Sequence, residues 1–310
     1  MSDHSPYAPI VLFTYNRPEH TRRTLESLRA NALASDSDLI VYQDGPKDPN
    51  DDHLKEKMKA VADIVTGTDW CGSLDFRKRD ENLGVDASII DGVSKILAIK
   101  KRVIVLEDDL DLSPGFLRFM NEGLALYADE PLIKQVAGYS FPVTAQMPET
   151  FFLKGYAESW GWGTWQRAWD ELNEDAHQLL AEVTRSPEQR RRFNFDHGFD
   201  FVGMLQRCAE TEDHPWDIRF FATIFLNDGL VLLPGKSLVQ NIGLDGSGVH
   251  CGEDPHYVHA SLADKIAVAP LPPEENIEAR VAYEDFFKSL KPGFVKRVKR
   301  KLLSYVGSQS

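Results

Sequence analysis

Val103-Ile104-Val105-Leu106-Glu107-Asp108-Asp109 is the stretch on which the fold turns. Four consecutive apolar, mostly β-branched residues read as a short strand buried on both faces, and three carboxylates follow where that strand must surface. Three adjacent like charges are unfavourable unless a cation or hydrogen-bond donors neutralise them. A hard divalent ion such as Mg²⁺ or Mn²⁺, sharing its shell with diphosphate oxygens, would do so. Taken alone the triplet reads first as the solvated turn that caps a following helix, and it is the surrounding sequence that reverses this.

On either side of it, short apolar runs alternate with longer amphipathic ones from Pro9 to about Tyr139, the pattern of a mostly parallel sheet covered by helices. Strands are expected at Ile10 to Thr14, Leu39 to Gln43, Leu74 to Lys78, Val103 to Leu106 and Lys134 to Gly138. Helices are expected after Pro18, over Leu54 to Val65, Asp86 to Ala98, and Pro114 to Tyr127. Ligands of open α/β sheets gather at the carboxyl ends of strands, which selects Asn16-Arg17, Asp44-Gly45, Arg79 to Gly84, and Glu107 to Asp109. Arg17 at a helix start can hold an anion, Asp44 can accept from a base or ribose or merely form an Asp-Gly turn, and Arg79 and Asn82 add a cation and an amide.

Past Phe141 the composition changes. Ser159-Trp160-Gly161-Trp162-Gly163-Thr164-Trp165 is followed by charged helical sequence to about Glu212, read as a substrate-covering lobe. Leu230 to Asn241 reads as a hairpin and Gly243 to Gly252 as a glycine-rich loop. Indole faces suit the apolar faces of pyranose rings, so Trp162 is the candidate stacking residue, with Glu158 as an acceptor contact and core packing expected for at least two of Trp160, Trp162, Trp165 and Trp169. In the glycine-rich loop, His250 is placed to contact a diphosphate or a metal.

The bulk numbers fit an enzyme-sized body. The 310 residues are 42% hydrophobic, enough for a full core, and the net charge of -13 argues against nucleic-acid binding. Cys71, Cys208 and Cys251 are odd in number and widely spaced, which fits a reducing cytosol rather than a disulfide framework. The first 30 residues hold no apolar signal core, and the run Phe220 to Leu226 is far short of the roughly 18 to 20 residues of a spanning helix. A cytoplasmic protein is therefore expected.

In order along the chain, Tyr15-Asn16-Arg17, Gln43-Asp44-Gly45, Val105 to Leu110, Gly161-Trp162 and Trp216-Asp217 resemble the catalytic domain of N-acetylglucosaminyltransferase I and similar soluble bacterial sugar transferases. The resemblance covers roughly residues 8 to 252. It implies the Rossmann-like GT-A fold, a nucleotide-binding half over 8–140 and an acceptor and catalytic half over 141–260 of one domain, with a C-terminal extension over 261–310. It further implies Mn²⁺ or Mg²⁺, a UDP-sugar donor (with N-acetylglucosamine as the typical sugar) and inversion at the transferred carbon. By position, Asp44 would contact uracil, Arg17 the nucleotide, Glu107 and Asp108 sugar and ribose hydroxyls, and Asp109 the metal, while Asp217 would be the base. This chain departs from the family at Trp216-Asp217-Ile218-Arg219, which lacks a second acid; by itself Asp217 also reads as a residue paired with Arg219.

The acceptor would be a glycan or lipid-linked saccharide, and the C-terminus reads as a peripheral membrane anchor from which an enzyme with a lipid-linked acceptor would gain. No acidic residue follows Asp285, seven Lys or Arg lie between Lys288 and Lys301, and Phe294, Val295, Val298, Leu302 and Tyr305 fall on one helical face. That places the chain at the inner face of an anionic membrane, with packing of the tail on the protein's own acidic surface as the alternative. Two rival functions remain: a sugar-phosphate nucleotidyltransferase, disfavoured by the absence of glycine between Phe13 and Pro18, and a non-catalytic glycan-binding protein.

Overall fold

A computed structural model describes residues 5–211, 214–245 and 255–291. His250, Asp213 and the basic face beyond Lys291 lie outside the described residues.

The N-terminal half alternates as expected. Strand β1 (Ile10–Thr14) leads to α1 (Pro18–Arg29), β2 (Asp38–Gln43) to α2 (Asp52–Thr66), β3 (Ser73–Lys78) to α3 (Gly84–Lys100), and β4 (Arg102–Glu107) to the short β5 (Leu110–Leu112) and α4 (Phe116–Leu126). Then come β6 (Ile133–Ala137), β7 (Thr150–Lys154), β8 (Trp162–Trp165), and the helices α5 (Gln166–Trp169), α6 (Ala176–Val183), α7 (Pro187–Phe193), α8 (Phe201–Glu210) and α9 (Trp216–Leu226). Strands β9 (Leu230–Pro234) and β10 (Val239–Asn241) and helix α10 (Ile277–Ser289) complete the described elements.

Eight strands form one sheet in the order β3-β2-β1-β4-β8-β6-β9-β7. Strands β1 to β4 are mutually parallel, β8 runs antiparallel between β4 and β6, β9 is parallel to β6, and β7 closes the edge antiparallel to β9. The class is thus mixed α/β, mostly parallel and flanked by helices, as the sequence indicated. The apolar runs divide by parity: Ile10, Leu12, Ile104 and Leu106 pack with α1, α2 and α4 on one face, while Val11, Phe13, Val103 and Val105 pack with α3, α6, α8 and α9 on the other.

Two expectations need correction. The end of the aromatic stretch, Trp162–Trp165, is strand β8 of the large sheet rather than a covering segment: Trp162 pairs with Val105 and Gly163 with Ile104. Gly163 is required because a Cβ there would stand 2.9 Å from the Val103 carbonyl oxygen. The hairpin over Leu230 to Asn241 does not form either; β9 joins the large sheet, while β10 pairs with β5 in a separate two-stranded sheet. Both segments have partners far away in sequence, and local turn signals carry no information about them. Residues of 261–291 belong to the same body, with Ala263 and Ile266 buried in one core and Ala279, Tyr283 and Phe287 in the other.

Candidate active site

Strand β1 has β2 on one side and β4 on the other, so chain order reverses between β1 and β4. The loops leaving the two strands there share one carboxyl edge of the sheet, where ligands of open α/β sheets bind in a crevice. The loop after β1 carries Arg17, and the loop after β4 carries Glu107, Asp108 and Asp109. They meet: Arg17 Nη1 donates to Asp109 Oδ2 at 2.8 Å and lies 3.7 Å from Asp108 Oδ1.

Helix α1 fixes the triplet from below. Thr21 Oγ1 donates to Asp108 at 3.4 Å, Thr24 Oγ1 accepts the Leu110 N–H at 3.1 Å, and Ser27 Oγ accepts the Leu112 N–H at 3.1 Å. A spacing of three puts these hydroxyls on one helical face. From above, the segment after β10 straps the site: Ile242 N–H donates to the Asp109 carbonyl at 2.8 Å, and Gly243 packs so closely that a Cβ would stand 2.1 Å from Asp109 Oδ2. His20 Nε2, 3.2 Å from Asp245, ties the strap back to α1.

The electrostatics follow from this crowding. Desolvation raises the Asp108 carboxyl to about 7 and Asp109 adds to the rise, against the opposing pull of Arg17, the Tyr15 N–H and Thr21. Glu107 is held well above its ordinary range, first by burial and then by Asp109, Asp108, Asp217 and Asp86. The three carboxyls therefore resist ionising together, and one arginine only partly offsets their charge.

Asp217 comes to this site from more than a hundred residues away in sequence. Its backbone is anchored by Asp86, whose Oδ1 accepts the Trp216 N–H at 2.7 Å, and by Trp216 stacking on Trp162 with centroids 4.8 Å apart. Arg219 turns back to the carbonyls of His214 and Pro215 at 2.7 and 3.2 Å, and its Nη1 lies 3.5 Å from Glu174.

Asp217 also lines a cavity of about 390 Å³ with Glu158, Trp160, Phe199, Met204 and Tyr257 among its walls. Glu158 accepts from the Tyr156 hydroxyl and from the Ser159 and Trp160 amides at 3.0 and 3.3 Å, and burial raises its carboxyl to about 7.

Three expected contacts are placed differently. Trp162 is only 1% exposed, stacked between Trp216 and Trp169, so it cannot lie against an acceptor; its neighbour Trp160 reaches the cavity instead. Trp160 precedes β8, and Gly161 between them holds a positive φ of 70°, which breaks the alternation that would set residues two apart on one face. Asp44 accepts four protein donors, from the amides of Gly45, Leu83 and Gly84 and the side chain of Asn82, at 2.9 to 3.0 Å. These fill its lone pairs and make it the organiser of the 79–84 loop, where Gly84 supplies a positive φ of 76°. Arg79 points into α3, bonded to Asp91 at 2.8 Å and packed 4.9 Å over the Tyr42 ring, rather than toward the crevice.

The sequence reading missed Asp86, Trp160 and Gly243. Asp86 looks like an ordinary first-turn acid of α3, and Gly243 like any loop glycine; nothing local marks them.

No protein-family model matches this chain, and no curated protein matches it. Among solved structures it is similar to S. aureus TarS, at 13% identity over 75% of this chain and 36% of that one with a TM-score of 0.39. For TarS 1-349 the identity is 13% over 75% and 59% with a TM-score of 0.39. For the mannosyltransferase PcManGT from Pyrobaculum calidifontis in complex with GDP-Man and Mn²⁺ it is 11% over 73% and 72%, with a TM-score of 0.36. The chain spans little more than a third of full TarS. The resemblance to N-acetylglucosaminyltransferase I rests on the order of its motifs alone.

Proposed function

We propose that the chain is an inverting GT-A glycosyltransferase that moves a sugar from a nucleotide-sugar, taken here as a UDP-sugar, to a hydroxyl of a glycan or lipid-linked saccharide. The observation that carries this reading is the convergence of Glu107 to Asp109 at the β1/β4 crevice with Asp217, which adjoins the triplet on one side and lines the 390 Å³ cavity on the other. A donor site and an acceptor site thus share one acidic border. N-acetylglucosamine as the transferred sugar is the reading the motif order favours.

The residues fit a divalent cation. Asp108 and Asp109 offer oxygen donors only, and a cationic side chain already stands at Asp109 Oδ2. Among the described residues no group of three or more His, Cys, Asp or Glu could hold a metal alone, so the remaining ligands would have to be diphosphate oxygens. When bound, Mn²⁺ or Mg²⁺ would neutralise charge on the departing diphosphate.

The chain's own residues do the rest. Arg17 orients the carboxylates and reaches the nucleotide phosphates, Asn82 and the 79–84 backbone border the base, and Glu107 and Asp108 accept from donor hydroxyls. Asp217 takes the proton of the incoming acceptor hydroxyl as that oxygen bonds the anomeric carbon and the diphosphate leaves from the opposite face. Asp217→Asn is expected to keep UDP binding and lose roughly 10²- to 10⁴-fold in transfer rate. Incubation of wild type with UDP-sugars and Mn²⁺ is expected to release UDP slowly by hydrolysis. Release of none, or formation of pyrophosphate from a nucleoside triphosphate instead, would replace this reading with a glycan-binding protein or a nucleotidyltransferase.

A further inference from the structure

The cavity beside Asp217 has an unusual wall for a sugar site. Its only charged described residues are Glu158 and Asp217, both acids, and no Lys or Arg lines it among the described residues. The two acids sense each other, since Asp217 contributes to raising Glu158. Apart from Ser159 and the tyrosine hydroxyls, the remaining wall is apolar. Phe199, Phe201 and Phe287 form one packed ring group with centroids 4.8 to 5.9 Å apart. Trp160 and Tyr257 form another at 5.9 Å, and Met204 stands among the lining residues as an adaptable filler.

We propose that the end of the acceptor entering this cavity is an uncharged saccharide bearing an apolar group, with a hydroxyl at Asp217 and the apolar group against the phenylalanine cluster. This rests on the reading of the crevice as a glycosyl-transfer site. An anionic acceptor end, such as a sugar phosphate or a uronate, would be desolvated beside two acids with no cation among the described lining residues to pair it, a costly arrangement. A neutral saccharide instead gives its hydroxyl protons to the acids, and an apolar substituent gains by leaving water. The volume, about 390 Å³, falls in the range of sites that bury a small ligand. The apolar group can be an aglycone or a substituent on the ring itself, and the two are separable by probe.

The test is calorimetric and fluorescence binding to the full chain without donor. Methyl, phenyl and hexyl β-glucosides probe the aglycone; methyl β-N-acetylglucosaminide and methyl fucoside probe ring substituents; phenyl glucoside 6-phosphate probes charge. At least one apolar arm is expected to bind about tenfold or more tighter than methyl glucoside, with a change in tryptophan emission from Trp160, and the phosphate is expected to bind more weakly than its neutral parent. Met204→Lys should erase the apolar preference and reverse the discrimination against phosphate, while Met204→Leu should retain both. Equal or absent binding of all probes, or tighter binding of the phosphate by wild type, overturns the proposal. So does apolar binding that appears only in a chain ending at Ser289, which would make the chain's own C-terminus the occupant. Because no turnover is read, apolar probes that bind to a protein failing to release UDP would leave the cavity assignment standing and sink the transferase reading instead.

Discussion

Replacing Gly243 by alanine tests whether the strap over Asp109 is part of the site. An added Cβ would stand 2.1 Å from Asp109 Oδ2 and 2.8 Å from Arg17 Nη2. The backbone cannot yield, because the Gly243 N–H donates to Asn241 Oδ1 at 2.7 Å and the adjacent Ile242 N–H donates to the Asp109 carbonyl at 2.8 Å. The carboxylate and guanidinium must therefore retreat, the former by about 1.3 Å to reach the 3.4 Å of ordinary contact. Since the atoms displaced are side-chain ends, and alanine lowers the entropy of the unfolded chain by about 0.4 to 1 kcal/mol, net stability should change by no more than about 1 kcal/mol. That corresponds to a Tm shift within about 4 °C. Misplacing the pair by more than an ångström should cost roughly 10²-fold in turnover, with Mn²⁺-dependent UDP affinity falling in step. Differential scanning calorimetry and titration calorimetry read the two effects on one sample. Wild-type UDP affinity in Gly243→Ala would refute the placement of the donor site at Asp109. Loss of more than about 3 kcal/mol of stability would show that the strain falls on the fold.

Asp109→Ala is expected to abolish Mn²⁺-dependent UDP binding while leaving the fold intact, because it removes a like charge from an acidic cluster; unchanged affinity by titration calorimetry would count against the metal assignment. Glu158 holds its proton up to about 7 in the folded chain against an ordinary 4.5, so its contribution to stability is present at low pH and lost as pH rises through about 7. Glu158→Gln should accordingly flatten the decline of Tm between about pH 5 and 7 and gain on wild type at pH 8, a difference that parallel thermal melts would show or deny. The basic C-terminal sequence is proposed to hold the chain at an anionic membrane surface: the full chain should sediment with anionic vesicles at low salt and a chain ending at Ser289 should not, whereas equal partitioning would remove the anchor.

The N-terminal half was legible in the chain, because β1, β2 and β4 are buried on both faces and each apolar run and the helix after it are local events, with only the edge strand β3 left partly exposed. The first four strands appeared to within a residue at each end, and the acidic triplet stood out because three adjacent carboxylates after Leu106 conflict with burial. Asp217 was legible only through resemblance, since an acid in the first turn of a helix is ordinary. Tertiary structure decided everything that depends on partners distant in the chain. It inserted β8 between β4 and β6, turned Trp162 into the core and Trp160 toward the cavity, filled Asp44 with four protein donors, and aimed Arg79 at Asp91. It also brought Arg17 to Asp109, a meeting set by the reversal of strand order between β1 and β4. A one-residue alternation cannot say which face of a strand will be covered, and a lone carboxylate cannot say which donors will reach it. Those answers come from contacts between segments tens of residues apart.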